Sequence, residues 1–239
     1  MTESNDNLIA ASQEWPIYRV YREKQEYVDD QIVIEEPLEI VINGQSIAIL
    51  MRMPGNEKEL AVGFSITEGH VRRVTDILLI HHCGLGHPAP LQEEDDSLGS
   101  RNRVEMRARP EGFVQPDHPD VLPLIRSGCG AAATGPLVDN LPPVHSNLQV
   151  PASTILDLAR AMRESQHVHK QIGGTHAAGI FDRHGTLVRI DEDIGRHNAI
   201  DKAIGHCLLQ DVSLDDKLLV TSGRASYEMA IKAIRTGLP

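Results

Sequence analysis

The apolar positions change rhythm along the chain. Residues 1 to about 30 are polar and weakly periodic, which predicts a loose arm. From Gln31 the pattern sharpens: Ile32-Val33-Ile34 leads into apolar runs at 38–42 and 46–50, separated by Asn43-Gly44. Asn-Gly supplies the two positive-φ positions of a type I′ turn at little steric cost, so these runs predict a β-hairpin, with Pro37 where a strand begins. After Pro54-Gly55-Asn56, Leu60, Ala61 and Phe64 share one face of a short amphipathic helix. Asn56 and Glu59 suit its start, and Gly69 suits the residue past its end. Residues 77–82 and 103–107 predict strands around a polar loop at 87–100. A second loop, at 109–124, contains four prolines and suggests a boundary between two lobes.

The second half alternates. Ile155, Leu158, Ala159 and Met162 stand at helical spacing within 153–165. Strands at 177–181 and 187–190 flank the turn Asp182-Arg183-His184-Gly185, and a helix at 197–209, a strand at 217–221 and a helix at 225–236 follow. Such alternation predicts a mixed α/β chain with helices layered on a sheet. The expected division is an N-terminal lobe over 1–125 and a second lobe over 126–239.

Composition narrows the function classes. Thirty-four acidic against 23 basic residues leave a net charge of −11, which argues against a sequence-independent nucleic-acid binder. The apolar runs are far shorter than the ~20 residues of a membrane-spanning helix. The opening residues lack the basic and apolar regions of a secretory signal. Three widely spaced cysteines make no disulfide framework, and a cytoplasmic setting is expected.

The cysteines differ in setting. Cys207 falls on the apolar face formed by Ala199, Ile200, Ala203 and Ile204, and reads as core. Cys83 has His81, His82 and His87 nearby, which invites a metal reading; adjacent strand residues point to opposite faces, which argues against it. Cys129 lies in Gly128-Cys129-Gly130-Ala131-Ala132-Ala133, a run of small residues without hydrophobic period. It reads equally as a reachable thiol for transfer chemistry and as a loop cysteine without a role.

Polar side chains gather at three glycine turns. Residues 192–202 hold Glu192, Asp193, Arg196, His197, Asn198, Asp201 and Lys202 at a strand-to-helix junction. A helix start favours anions, and Arg196 adds a fork for phosphate or carboxylate. The alternative is a charged cap with His197–Asp201 and Asn198–Lys202 pairs at i,i+4. Ser222-Gly223-Arg224-Ala225-Ser226 repeats the junction, and Gly173-Gly174-Thr175-His176 precedes another strand. In layered α/β proteins ligands sit where strands end and helices begin, so the three turns point to a phosphate-bearing ligand. Neither a P-loop nor a Rossmann fingerprint is present, and zinc-deaminase and common hydrolase signatures are absent.

These motifs resemble one family, FdhD, the sulfur carriers that serve formate dehydrogenase maturation. The matching stretches are Glu36-Pro37-Leu38 with Asn43-Gly44, residues 59–64 with Glu68-Gly69, Cys129-Gly130, Thr175-His176-Ala177-Ala178, residues 192–202, and residues 222–226. The resemblance implies a larger lobe similar to the cytidine deaminase fold without its zinc, and no metal of the protein's own. It implies a persulfide on Cys129 that carries sulfur from a cysteine desulfurase to the molybdenum bis(molybdopterin guanine dinucleotide) cofactor of formate dehydrogenase. A homodimer working in the cytoplasm is also implied. The expected cofactor-binding residues are His176, Arg196, His197, Asn198, Ser222, Arg224 and Ser226, with His197 also a candidate to protonate a leaving thiolate. Two departures stand out. Many members carry Cys-x-x-Cys at the active loop, whereas Ala132 holds the second position here, so Cys129 is expected to work as a single thiol. Members also continue past Gly237-Leu238-Pro239, so part of the cofactor surface is expected beyond this end. The competing expectation is a non-catalytic cofactor chaperone in which Cys129 is incidental. A metal-binding protein using His81, Cys83 and His87 is a third.

Overall fold

The computed structural model describes residues 11–83, 102–116, 122–126 and 141–239. From Ser12 onward the polar N-terminal stretch is not a loose arm. It forms a two-stranded ribbon, β1 (Ser12–Tyr21) against β2 (Lys24–Val33), in one unshifted antiparallel register. The period was hidden because both faces of the ribbon are largely exposed, so no apolar alternation marks its strands.

The Asn-Gly hairpin forms as its chemistry requires. β3 (Glu36–Ile42) pairs antiparallel with β4 (Gln45–Arg52), and Asn43 and Gly44 take φ of 52° and 81°. The sheet grows from this hairpin by β5 (Ile77–Cys83), β6 (Arg103–Ala108) and β7 (Leu124–Ile125), in the order β5-β6-β3-β4-β7. The start of the proline-rich loop belongs to this half: Val71 bridges Phe113, and Val114 N–H donates to the His70 carbonyl at 2.8 Å.

Helix α1 (Glu57–Thr67) was expected to be amphipathic, yet residues 60–67 are all buried. One side packs with the five-stranded sheet and the other crosses a helix from the second half. Asn56 does not cap it by side chain; it sits at φ 57° and sends its amide to Asp191 at 2.7 Å.

The second half contains α2 (Ala152–Ser165), a short α3 (His167–Gln171), β8 (His176–Phe181), β9 (Leu187–Asp193), α4 (Arg196–Leu209), β10 (Leu218–Thr221) and α5 (Tyr227–Arg235). Its strands form an antiparallel sheet in the order β10-β8-β9. α4 and α5 cover one face through Ala199, Ile200, Ala203, Ile204 and Met229, while α2 covers the other through Leu158 and Met162. Cys207 lies fully buried in the first of these cores, and burial pushes its thiol up to about 11, as expected of a core residue.

The two halves meet where α1 crosses α4. A Cβ on Gly63 would fall 1.8 Å from the Asp201 carbonyl oxygen, and one on Gly205 would fall 1.9 Å from that of Glu59. Only glycine lets the two backbones approach this closely. The result is a mixed α+β architecture of sheet, helix, helix pair, sheet and helix. No helix among the described residues is long and apolar enough to cross a membrane.

Candidate functional site

The three polar turns converge because the second sheet is antiparallel. β8 begins at His176 beside the end of β9, since His176 pairs with Asp193. On its other side Ala178 pairs with Thr221, the last residue of β10. One end of the sheet therefore collects the Gly173–His176 turn, the entry to α4 and the entry to α5. Parallel strands, on which the strand-end expectation rests, are not what brings them together.

Much of the polar 192–202 block is consumed inside the protein. The fully buried Asp193 accepts from Gly195 N–H at 2.9 Å and Asn198 Nδ2 at 3.0 Å through one oxygen, and from Met53 N–H at 3.1 Å through the other. Lys202 Nζ completes the shell, 2.7 Å from Asp193 and donating to the Met53 carbonyl at 2.8 Å. Asn198 also donates to the Met51 carbonyl, so its amide holds the turn. Glu192 takes the N–H groups of Val168 and His169 and the hydroxyl of Thr175, tying α3 to the same end of the sheet. Asp201 reaches across to Lys232, 2.8 Å away, and to Thr67, while Lys232 also contacts Glu68 at 2.7 Å. The anticipated His197–Asp201 and Asn198–Lys202 pairs give way to these longer-range partners, because tertiary burial outweighs an exposed i,i+4 contact of ~0.2–0.5 kcal/mol.

What remains faces the junction. Ser222 Oγ lies 3.5 Å from His176 Nδ1 and accepts the Ala177 N–H at 2.9 Å. Ser226 Oγ lies 3.5 Å from His197 Nε2. Gly223 packs between Arg196 and His176; a Cβ there would stand 3.1 Å from Arg196 Cδ and 3.6 Å from His176 Nδ1. Arg196 Nε is buried and finds no hydrogen-bond partner among the described residues. Gly195 and Ser226, the residues that open α4 and α5, make no side-chain cap bond among the described residues. Arg224 is exposed on the turn between β10 and α5.

The electrostatics favour neutral imidazoles and an incoming anion. Burial, reinforced by Lys232 and Arg196, holds His197 down to about 4. The shift disfavours the imidazolium form that the acid role considered for His197 requires. His176 is likewise lowered, by burial and then by Arg196 and His169. Glu228, in the first turn of α5, and Glu68 are negative neighbours of His197; a hydrogen bond from Ser226 holds the Glu228 carboxyl below the usual range. Lys232 and Glu228 were not anticipated. The signal for Lys232 was a lysine on the same helical face as Met229, where a cation needs a buried partner.

Cys129 and Ala132 lie outside the described residues, as does His87 of the alternative metal reading. Among the described residues, no three His, Cys, Asp or Glu side chains come together in a way that could hold a metal ion.

Fold and cluster define a class: a mixed α+β protein in which two sheets enclose crossed helices and one sheet end offers an arginine, two histidines and two hydroxyls to an anion. The chain belongs to the FdhD/NarQ family, whose profile matches residues 33–239. It is 37% identical over 226 residues to the sulfur carrier protein FdhD of Streptomyces avermitilis, covering 88% of this chain and 74% of that one. The protein of the same name from Mycobacterium tuberculosis is 34% identical over 218 residues, covering 88% and 77%. That from Sulfolobus acidocaldarius is 33% identical over 212 residues, covering 88% and 76%. The fold is also that of a crystal structure from Desulfotalea psychrophila described as a formate dehydrogenase accessory protein, with a TM-score of 0.71 at 22% identity over 96% of this chain and 82% of that one.

Proposed function

We propose that this chain is a cytoplasmic sulfur carrier for formate dehydrogenase, a sulfurtransferase working through a persulfide on Cys129. Family membership across residues 33–239, a span that includes Cys129, is the observation that carries this reading. In the loading step the Cys129 thiolate attacks the terminal sulfur of a cysteine desulfurase persulfide. The donor's S–S bond breaks, a new S–S bond forms on Cys129, and the donor leaves as a thiolate. With Ala132 in place of a second cysteine, no neighbour at that position expels the sulfur as an internal disulfide.

The cargo's destination is the molybdenum bis(molybdopterin guanine dinucleotide) cofactor, bound as substrate. Its guanine dinucleotide arms are phosphate-rich, which suits the junction described above. Arg196 supplies charge and an unpartnered N–H, the α4 and α5 starts supply backbone donors, and Ser222, Ser226 and His176 supply short polar contacts. Arg224 adds charge at the rim, while Asn198 positions the turn from within. His197 serves as a neutral hydrogen-bonding group.

Incubation with a cysteine desulfurase and cysteine, followed by intact-mass measurement, tests the loading step. One added sulfur atom is expected on the native chain and none on Cys129→Ala; a native chain that gains none overturns the reading. The polar side chains that converge at the junction support one second reading, a cofactor chaperone. Complementation of a strain lacking its own carrier separates the two. Cys129→Ala abolishes formate dehydrogenase activity if the chain carries sulfur and preserves it if the chain only chaperones.

A further inference from the structure

Lys232 and Asp201 put two charges into the seam where α5 packs on α4 and on the end of α1, and both are almost wholly buried there. Lys232 Nζ stands 2.9 and 2.8 Å from the two Asp201 oxygens, 3.0 Å from Thr67 Oγ1 and 2.7 Å from Glu68 Oε1. The Thr67 hydroxyl donates to Asp201 Oδ1 at 2.7 Å, and the ammonium lies 5.7 Å from the centre of the Phe64 ring. One cation thus ties together three helices.

Stability does not account for this arrangement. Exchanging a buried ion pair for well-packed apolar side chains of similar volume is often neutral or stabilising. The seam already has apolar packing of its own, with Met229 of α5 in one cluster with Ile200, Ala203 and Ile204 of α4. Such packing is non-directional, and α5 is only nine residues long, so apolar contact alone leaves it free to slide or roll. Directional bonds add a unique register.

That register governs the other end of the same helices. Asp201 lies four residues after His197, and Lys232 lies six after Ser226. At ~1.5 Å per residue these steps are about 6 and 9 Å along the two helices. The Lys232–Asp201 pair is therefore a second rung between α4 and α5, deeper than the approach of Ser226 Oγ to His197 Nε2. At 3.5 Å the upper contact is too long to hold the helices itself, so the lower one sets it.

From this we infer that Lys232 is a positioning residue: through Asp201, Thr67 and Glu68 it holds α5 against α4 in the register that aims both helix starts and Arg196 at one anion. The inference rests on the junction being the phosphate site proposed above, and it gives Lys232 no contact with the ligand.

The test uses guanosine diphosphate as probe and the double variant Asp201→Leu/Lys232→Met, which removes both charges at similar volume. Glu68 is partly exposed to water, and the Thr67 hydroxyl keeps the Phe64 carbonyl as acceptor, so neither is left stranded. The thermal melt is expected at or above that of the native chain. Affinity in calorimetric titration is expected to fall about tenfold, the worth of one hydrogen bond to a charged group. Amide NMR separates positioning from a merely structural role. Probe-induced shifts at Tyr227 and Glu228 are expected to vanish in the double variant, while those at His197 and Asn198 persist. Asp201→Asn keeps the shape and leaves Lys232 its Glu68 partner; its affinity is expected between the two, and it replaces the double variant should that chain not fold. Native affinity in the variant tested, or shifts retained at Tyr227 and Glu228, overturns the inference alone. A native chain that does not bind the probe overturns the phosphate reading beneath it.

Discussion

Arg196 shows how a single side chain can be poised for something it does not yet touch. A buried donor without an acceptor costs roughly 1–3 kcal/mol, and more when charged. Its Nε is in that condition beside two uncapped helix starts, so an anion at the junction relieves a cost already present. Arg196→Ala is therefore expected to weaken guanosine diphosphate binding by about tenfold to a hundredfold, equivalent to roughly 1–3 kcal/mol, while leaving the thermal melt unchanged or slightly raised. Arg196→Lys recovers charge but not the planar fork and is expected to stay well below native affinity; calorimetric titration of the three chains reads both effects. Asp193 stands at the opposite extreme. Every partner of this carboxylate is internal, and its loss strands the Lys202 ammonium in the interior. Breaking such a buried pair costs about 3–5 kcal/mol, so Asp193→Ala is expected to lose that much stability in denaturant titration. Ligand affinity measured on the fraction still folded falls as well, because the Gly195 turn that aims Arg196 is no longer tied down.

At the scale of elements, the crossing of α1 and α4 decides whether the two halves form one protein. Alanine normally favours a helix over glycine by about 1 kcal/mol. At Gly63 and Gly205 the sign reverses, because the added methyl meets backbone carbonyls that cannot rotate away. Gly63→Ala and Gly205→Ala are each expected to destabilise by about 2–3 kcal/mol, as overpacking does, and the double variant by less than the sum, since one separation of the helices relieves both. Gly44→Asn, at φ 81° with nothing within 4 Å of the added Cβ, meets no clash and carries only the backbone cost of a positive φ, about 1 kcal/mol; chemical denaturation of all four checks the contrast. The same crossing explains the limits of legibility. The β3–β4 hairpin, the α2 and α4 helices and the β8–β9 hairpin could be read directly, since turn chemistry and apolar spacing are local properties. The burial of α1 on all sides could not, because Leu60, Ala61 and Phe64 mark one face while Gly63, Ser65 and Thr67 give no sign of the helix that will cover them. The ribbon escaped for the opposite reason, having no buried face to impose a period. Of the candidate site, the sequence displayed the polar residues of the α4 junction but not which way they turn. Asn198, Asp201 and Lys202 look as available as Arg196 and His197 until the Met51–Met53 backbone and Lys232 claim them.

For the molecule as a whole, that inward claim makes acid the condition to which the fold is most sensitive. His70 and His197 are both held to about 4 by burial, so from their ordinary value near 6.5 down to 4 the unfolded chain binds protons that the folded one refuses. Stability contributed by these two groups is complete above about 6.5 and is lost as pH falls through 4. Asp201 works against this trend. Burial raises it to about 6 despite Lys232, so between about 6 and 3.8 the folded state takes up a proton first, which favours folding as the solution is acidified. Glu68 is lowered by Lys232 in spite of its own burial and therefore sides with the histidines, its contribution fading as pH drops below the carboxylate range. Two histidines and one glutamate outweigh one aspartate, and the melting temperature is expected to fall steadily from pH 6.5 to pH 4. His70 lies against the Phe64 ring with centroids 5.6 Å apart, so His70→Phe keeps an aromatic contact while deleting one titration. Melting curves across this window are expected to show a shallower decline for His70→Phe than for the native chain, with the two profiles converging above pH 7. Parallel profiles would mean that His70 is protonated as readily in the folded protein as in the unfolded chain, and that the acid sensitivity resides in His197 and Glu68 instead.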